Sequence, residues 1–477
     1  MIHSFDYCLK HIGEVGEVAS SGEYLVTVSG LPGAVVGEGV TFEGDTHGRV
    51  MTIREDGLDV LVFSREPIAT GTRVARTGSP LLVSCGDGLL GQTITTLGHA
   101  VSSHRAPSHP PEARAIEEDP VGIAGRAKIS RFFPTGTSVV DTLIPLGYGQ
   151  RELVIGDRKT GKTHFLIETV LTQARLGTVV VYCAIGKRKT EIKRIEEFLR
   201  VLGVLPQCVI VAADSYESPA NIIYAPYTAI TIAEYFRDTG RDSLVVLDDL
   251  TTHAKSYREV ALLSGTFPGR ESYPGDIFAI HSSILERAGC FIKNQKHVAI
   301  TCLPVVESVG GDLTGYIQTN VMSMTDGHIF FDSELFAIGR RPAINVFLSV
   351  TRVGRQTQTP LLRDINTQLV GLLKSYDNAQ RYIRFGSEMT DEMKRVVARG
   401  DALWRFFSQT GYDGMHVSVQ AFLVALLWMG RWDGTEAKSF SRELTKGLGK
   451  KLDRVVADSE SLEVLMKRVG KMMPAEN

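Results

Sequence analysis

Residues 156–163, GDRKTGKT, match the pattern G-x-x-x-x-G-K-[S/T] of a phosphate-binding loop. The residues before it, ELVI at 152–155, form a short apolar run typical of a buried strand, and HFLIETVLTQA at 164–174 has helical spacing. A strand, a glycine-bearing turn and a helix together aim backbone N–H groups at phosphate oxygens. The stretch therefore predicts nucleotide binding, and a chance Gly-Lys-Thr in an ordinary turn is the less favoured interpretation.

Every residue of this loop is a candidate contact to the nucleotide: Gly156, Asp157, Arg158, Lys159, Thr160, Gly161, Lys162 and Thr163. We expect Lys162 to reach the β- and γ-phosphates and the Thr163 hydroxyl to ligate Mg²⁺.

A second magnesium ligand is expected at the end of a strand. SLVVLDDL, at 243–250, supplies an apolar run that ends in Asp248 and Asp249. Asp248 follows the run directly and is the better candidate to hold Mg²⁺ through water. A helix cap is the alternative explanation for the Asp-Asp pair.

The bulk properties exclude several classes of protein. The chain has 477 residues, 43% of them hydrophobic and 22% charged, and its length predicts about two to four domains. A net charge of −2 gives no electrostatic reason to expect nucleic acid as the main partner. The six cysteines are scattered without a C-x-x-C pair, which favours reduced core residues. The start has no long apolar core of a signal peptide. The apolar stretch 417–430 is shorter than the ~20 residues that cross a bilayer.

The character of the sequence changes along the chain. Short β-branched runs separated by Gly and Asp, such as EYLVTVSG at 23–30, predict a small β-barrel, and a polar, proline-bearing stretch follows. Apolar runs then alternate with helical segments, as in an α-covered parallel sheet, before amphipathic helices take over. The predicted regions are a barrel at 1–98, a linker at 99–124, a nucleotide-binding domain at 125–364 and a helical domain at 365–477.

Hydrolysis needs a carboxylate that orients the attacking water. In related ATPases it follows a glycine at the end of the strand after the loop helix. Here that strand is TVVVYCAIG, at 178–186, and the next residues are Lys187, Arg188 and Lys189. Glu191 lies four residues on, inside a predicted helix. We therefore expect this chain's own loop to bind nucleotide without hydrolysing it.

NVFLSVTRVGRQ, at 345–356, predicts a strand that runs into a turn and presents Arg352 and Arg355. An arginine placed at a neighbour's γ-phosphate stabilises transition-state charge. From spacing alone, an arginine at a strand end is more often a salt-bridge partner.

Long segments of the chain resemble the alpha subunit of F-type ATP synthases. The segments are GYGQRELVIGDRKTGKT, VVLDDLTTHAKSYREVALL, PGRESYPGDIFAIHSSILERAG, TDGHIFFDSELFAIGRRPAINVFLSVTRVG, RFGSEM and the weaker GDGLLGQTITTLG. PGRESYPGD is typical of the alpha subunit rather than of the catalytic beta subunit. The resemblance implies an α/β fold: a RecA-like core with an N-terminal six-stranded β-barrel and a C-terminal helical bundle.

The resemblance also implies an assembly. Alpha subunits alternate with beta subunits around a rotating gamma-type stalk, and their own sites bind Mg²⁺ with ATP or ADP without turnover. Arg352 would then reach the catalytic site of the neighbouring beta subunit. Arg341, Pro342 and Gln409 would lie near the adenine. The complex would sit peripherally on the cytoplasmic face of an energy-transducing membrane, and the sequence leaves H⁺ or Na⁺ open as its coupling ion.

Several positions depart from the family pattern. Lys159 and Lys187 stand where the family has glutamine, and Gly411 replaces a second glutamine near the base. The amino-terminal helix that docks the peripheral stalk is expected to be short or absent, which leaves that docking open.

Two other hypotheses compete. A catalytic hexamer of the export or secretion type would need a carboxylate where Lys187 stands. A Rho-type translocase would need clustered aromatic and basic residues in the barrel to bind nucleic acid, and the barrel sequence lacks them.

Overall fold

The computed structural model describes residues 4–102, 112–293, 295–384, 389–412 and 414–472. The chain forms two compact units. The first comprises Met1–Ala127, Gly177–Glu307 and Leu313–Thr325, and the second comprises Lys128–Leu176, Ser308–Asp312 and Asp326–Asn477. The domain boundaries proposed from the sequence divide the chain in a linear way and stay a prediction.

The strands are β1 (Val15–Ser21), β2 (Leu25–Ser29), β3 (Glu38–Phe42), β4 (His47–Arg54), β5 (Gly57–Val62), β6 (Arg73–Pro80), β7 (Leu82–Cys85), β8 (Thr93–Thr95), β9 (Ala100–Ser102), β10 (Glu112–Ala115), β11 (Phe132–Phe133), β12 (Leu146–Gly147), β13 (Glu152–Gly156), β14 (Val179–Lys187), β15 (Cys208–Asp214), β16 (Ser243–Asp248), β17 (Gly289–Lys293), β18 (Lys296–Glu307), β19 (Gly327–Phe331) and β20 (Val350–Thr351).

The α-helices are α1 (Phe5–Ile12), α2 (Ser138–Leu143), α3 (Lys162–Arg175), α4 (Lys189–Val201), α5 (Pro219–Asp238), α6 (Leu250–Leu263), α7 (Ile277–Glu286), α8 (Tyr316–Met324), α9 (Ser333–Ala337), α10 (Pro360–Arg384), α11 (Asp391–Phe407), α12 (Val417–Trp428), α13 (Ala437–Ala457) and α14 (Leu462–Met472).

The first unit begins with a closed six-stranded barrel of order β1-β2-β5-β4-β3-β6. Alternation along β2 buries Val26 and Val28, which pack with Val40, Phe42 and Val60 in the barrel core. Outside the barrel, Phe5 and Cys8 of α1 pack against Ala75 of β6. The small barrel predicted from the short β-branched runs is confirmed, and its six strands are those that the resemblance implied.

The first unit also contains a parallel sheet in the order β18-β16-β14-β15-β8, where β9 and β17 add antiparallel edges. Nearly every residue of β14, β15 and β16 is buried, as in a sheet covered by helices. The parallel register sets Ala184 of β14 beside Asp248 of β16, so the carboxyl ends of these strands lie together.

In the second unit, β13 pairs in parallel with β19, and β20 adds an antiparallel edge. β13 leads through the phosphate loop into α3. Helices α10 to α14 follow, and α12 is buried over most of its length. The α/β core and the C-terminal helices agree with the predicted fold class.

The predicted linker at 99–124 contains β9 and β10, and β10 pairs with β7. Residues 103–111 lie outside the described part of the chain. Among the described helices, none combines the length and apolar character needed to cross a membrane.

Candidate nucleotide site

The phosphate loop joins the end of β13 to the start of α3. A Cβ on Gly156 would lie 2.3 Å from the carbonyl oxygen of Phe331, so the close approach to β19 requires glycine there. Gly161 has φ 103° and Lys159 has φ 63°, both in the left-handed region. These torsions curl the loop over the first turn of α3, where free backbone N–H groups favour an anion.

The Lys162 ammonium lies folded over the loop. It donates to the carbonyl oxygens of Gly156 (2.6 Å) and Asp157 (2.7 Å), and the side chain is buried. Thr160 is also buried, and its hydroxyl donates to the Asp157 carbonyl (2.7 Å). The Arg158, Lys159 and Thr163 side chains are exposed. The loop therefore holds one buried cation and presents further polar groups to solvent.

The Asp157 carboxylate fixes the shape of the loop. It accepts from the Ser308 hydroxyl (2.6 Å) and from the Gly311 backbone N–H (3.0 Å). Burial works to raise the pKa of Asp157, but these hydrogen bonds and the nearby Lys162 outweigh burial and lower that pKa. Asp157 is therefore negatively charged, and its hydrogen bonds hold the loop in this conformation.

In the first unit, Lys187 occupies the position after Gly186 where related ATPases have a catalytic carboxylate. Its ammonium lies 2.8 Å from Asp248 Oδ1 and 3.2 Å from Asp249 Oδ2. Burial opposes the charge on Lys187, but Asp248 and Asp249 outweigh burial and raise the pKa of the ammonium above its usual value. Lys187 is therefore a charged member of a buried ion-pair cluster.

The two aspartates have different further partners. The Tyr182 hydroxyl donates to Asp248 Oδ2 at 2.8 Å. Burial is the main cause that raises the pKa of this phenol, and the charge of Asp248 raises it further. Asp249 is the N-cap of α6, where its Oδ1 accepts from the Thr252 N–H at 2.7 Å. The alternative explanation of this pair, a helix cap, therefore describes Asp249.

Asp248 and Thr163 are the side chains predicted to hold a magnesium ion. Each Asp248 oxygen accepts from one group, Oδ1 from the Lys187 ammonium and Oδ2 from the Tyr182 hydroxyl, and the role of Asp248 in holding Mg²⁺ through water stays a prediction. Thr163, in the second unit, is exposed at the first turn of α3, as a hydroxyl ligand requires. Glu191 is exposed and lies in the first turn of α4, where it accepts weakly from the Arg188 N–H at 3.4 Å.

The residues predicted to lie near the base come together in the second unit. The Gln409 N–H donates to the Arg341 carbonyl at 2.8 Å, and Pro342 follows Arg341. The Gln409 amide is buried: its Oε1 accepts from the Ser138 N–H at the start of α2 (2.7 Å), and its Nε2 donates to the Gly136 carbonyl (3.2 Å). Gln409 thus ties three segments together, and its contact with adenine stays a prediction.

The loop helix contacts the segment after Gln409, which the sequence did not predict. The His164 ring, next to Thr163, lies 4.4 Å from the Tyr412 ring. One turn further along α3, the buried Glu168 accepts from the Gly414 N–H at 3.2 Å. Tyr412, next to the unusual Gly411, is the feature of the sequence that could have predicted this contact.

Arg352 follows β20, and its side chain is exposed. Its backbone N–H donates to the Asp326 carbonyl at 3.0 Å, which fixes the backbone at this point. Within the described residues, the Arg352 guanidinium has no ion pair or hydrogen bond, and the same holds for the exposed Arg355. Both guanidinium groups are exposed to solvent.

Together, the phosphate loop, the parallel sheet and the barrel define a phosphate-loop nucleotide-binding protein with a RecA-like core. Residues 136–351 match the family model described as the ATP synthase alpha/beta family, nucleotide-binding domain. A curated relative, ATP synthase subunit alpha of Dictyoglomus thermophilum, is 39% identical over 88% of this chain and 82% of its own length.

Two further relatives carry the same name. ATP synthase subunit alpha of Sulfurovum sp. is 37% identical over 90% of this chain and 86% of its own length. The protein of that name from Rickettsia bellii is 36% identical over 87% of this chain and 82% of its own. The chain belongs to the alpha-subunit family of ATP synthases.

Proposed function

We propose that this chain is a non-catalytic, nucleotide-binding alpha-type subunit of a rotary F-type ATP synthase. The observation that carries the proposal is Lys187, which stands where a water-orienting carboxylate is needed and is locked between Asp248 and Asp249. A fixed ammonium cannot accept a proton from water. The loop therefore binds ATP or ADP, with Thr163 as the proposed Mg²⁺ ligand, and does not turn it over.

We propose that Arg352 acts as an arginine finger in the catalytic site of a neighbouring beta-type subunit. An unpaired, exposed guanidinium on a fixed backbone supports this role, because no internal ion pair has to break first. At the nucleotide of this chain itself, we propose the loop residues for the phosphates and Arg341, Pro342 and Gln409 for the region around adenine.

The proposed assembly alternates this chain with beta-type subunits around a gamma-type central stalk, and it couples ATP synthesis or hydrolysis to ion transport by other chains. We propose a peripheral position on the cytoplasmic face of the membrane, where a peripheral stalk holds the ring by a docking mode that stays open. The region around residues 385–393 is proposed to touch the rotating stalk; of these, residues 385–388 lie outside the described part of the chain.

The test is ATP turnover by the purified chain, alone and mixed with its beta-type partner. We expect nucleotide binding without turnover by the chain alone, and turnover by the mixture. Arg352→Ala is expected to lower the turnover of the mixture by about 10³-fold or more. Arg355→Ala, at an equally exposed arginine three residues on, is the matched control and should keep most of the activity.

Steady ATP turnover by the chain alone would refute the proposal. A self-assembling catalytic hexamer of the export type would then lead, and Glu191 would be the first carboxylate to test. If Arg352→Ala and Arg355→Ala lower turnover equally, the finger is not at Arg352.

A further inference from the structure

The segment predicted to lie near the base packs against the helix that follows the phosphate loop. The Tyr412 ring lies 4.4 Å from the ring of His164, which follows Thr163 at the start of α3. Gln409, three residues before Tyr412, binds the backbone of the segment 136–138. All of these residues and the loop belong to the second unit. The groups that face the phosphates and those near the base can therefore be compared within one compact unit.

The phosphate end of this site is rich in cations. Arg158, Lys159 and Lys162 all belong to the phosphate loop, and the side chains of Arg158 and Lys159 are exposed. The buried Lys162 ammonium donates to the carbonyl oxygens of Gly156 and Asp157. Hydrogen bonds between a cation and a phosphate are about twice as strong as those between neutral groups. Because all nucleoside triphosphates carry the same phosphates, this end of the site contributes affinity without selecting a base.

Selection of adenine requires a group that accepts a hydrogen bond from the 6-amino group, since guanine has an oxygen at the same position. Of Arg341, Pro342 and Gln409, only Gln409 has a side chain that can accept. Its Oε1 already accepts from the Ser138 N–H at 2.7 Å, its Nε2 donates to the Gly136 carbonyl at 3.2 Å, and 2% of the residue is exposed. Atoms that a base contacts are exposed before the base binds. Gln409 therefore shapes the region around the base by holding the backbone, and its amide does not read the base.

The other positions of the predicted base region supply donors or no side chain at all. Arg341 Nη1 donates to the carbonyl oxygens of Phe336 (2.8 Å) and Arg340 (2.7 Å). The remaining N–H groups of Arg341 can donate to N7, which adenine and guanine share, or to O6, which only guanine has. Pro342 has no N–H, and Gly411 stands where the family has a glutamine. Among these base-region residues, all of which the structure describes, no side chain therefore supplies a contact that favours adenine.

We propose that this chain does not select adenine and binds the purine nucleotides ATP and GTP alike, mainly through their phosphates. The proposal rests on the nucleotide binding proposed above and adds the class of nucleotide that the site accepts. A pocket built to hydrogen-bond its ligand rejects an analogue that leaves the groups of the pocket unpaired, whereas a pocket without such groups rejects a close analogue only weakly. The base region of this chain is of the second kind, because the Gln409 amide is paired with the protein backbone.

The experiment measures the dissociation constants of ATP and of GTP for the full chain by isothermal titration calorimetry, with Mg²⁺ in excess. For the unaltered chain we expect the two constants to agree within about threefold. Gly411→Gln adds a side-chain amide, the group that pairs with N6 and N7 of adenine, and should favour ATP over GTP by about tenfold. Gly411→Ala is the matched control. Since φ is 91° at this position, both variants carry the same backbone strain, but only glutamine adds the amide.

A larger preference of the unaltered chain for either nucleotide overturns the proposal, and this result does not depend on any variant folding. Equal ratios of the two constants in Gly411→Gln and Gly411→Ala also overturn it, because the absent amide would then not explain the equal binding. If Gly411→Gln does not fold, Gly411→Asn takes its place, since asparagine carries an amide and tolerates a positive φ. Absence of binding by both ATP and GTP overturns the proposed nucleotide binding itself, which distinguishes the two failures.

Discussion

Replacing Lys187 by methionine should destabilise the first unit strongly even without nucleotide. Methionine keeps most of the aliphatic length but removes the ammonium that lies 2.8 Å from Asp248 and 3.2 Å from Asp249. Breaking a buried ion pair by removing one partner costs about 3–5 kcal/mol. Because about a fifth of the Lys187 side chain is exposed, solvent screening places the expected loss nearer 2–3 kcal/mol.

The pH dependence gives this prediction a second signature. In the unaltered chain, the folded-state pKa of Lys187 is raised, so its stabilising effect is present at neutral pH and is lost only in strong alkali. Lys187→Met has no ammonium at this position, so this loss in alkali should be absent from the variant. The deficit of the variant should therefore stay constant around neutral pH and shrink only in strong alkali.

Urea unfolding of both proteins, followed by circular dichroism at several pH values, measures these effects. Lys189→Met serves as the matched control, because the Lys189 side chain is 73% exposed and lies 3.5 Å from Asp214. A surface pair of this kind contributes at most about 1 kcal/mol. Equal losses for Lys187→Met and Lys189→Met, or a deficit that already shrinks around neutral pH, would refute the buried ion-pair cluster.

Two further predictions test other parts of the structure. Gly156→Ala places a Cβ 2.3 Å from a backbone carbonyl oxygen of β19, so calorimetry should find ATP binding weakened by about tenfold or more, whereas Gly177→Ala, at an open position outside the loop, should bind as before. Burial lowers the pKa of His253 to about 4 and that of His281 well below its usual value, so stability should fall as the pH drops from about 6.5 towards 4. His253 Nδ1 lies 3.1 Å from His281 Nε2. In urea titrations, His253→Gln should reduce the loss of stability between about pH 6.5 and 4, and an unchanged loss would contradict this prediction.

Local sequence patterns predicted much of the fold. β-branched runs between Gly and Asp predicted the closed barrel, and the apolar runs around TVVVYCAIG and SLVVLDDL predicted buried parallel strands. These predictions succeeded because strand burial leaves a period in the residues themselves. The linker was less predictable, since the pairing of β10 with β7 depends on residues far away along the chain.

In the candidate site, too, the sequence predicted which residues matter but not which distant groups they contact. The sequence identified the loop, Asp248 and the unexpected Lys187 by spacing, but it gave no indication that Tyr182 shares the Asp248 carboxylate. The resemblance implied that Gln409 lies near the base, but it did not show that both polar atoms of its amide bind backbone groups of the segment 136–138.

By itself, the sequence determined that this protein has a phosphate loop, a barrel, a parallel sheet and a helical end, because each depends on residues close together in the chain. Only the tertiary structure decided what Lys187 does. Its ammonium reaches Asp248 and Asp249 across about sixty intervening residues, since parallel pairing of β14 with β16 brings their carboxyl ends together. The sequence shows that residue 187 is a lysine, but the order and register of the strands determine which carboxylates it contacts.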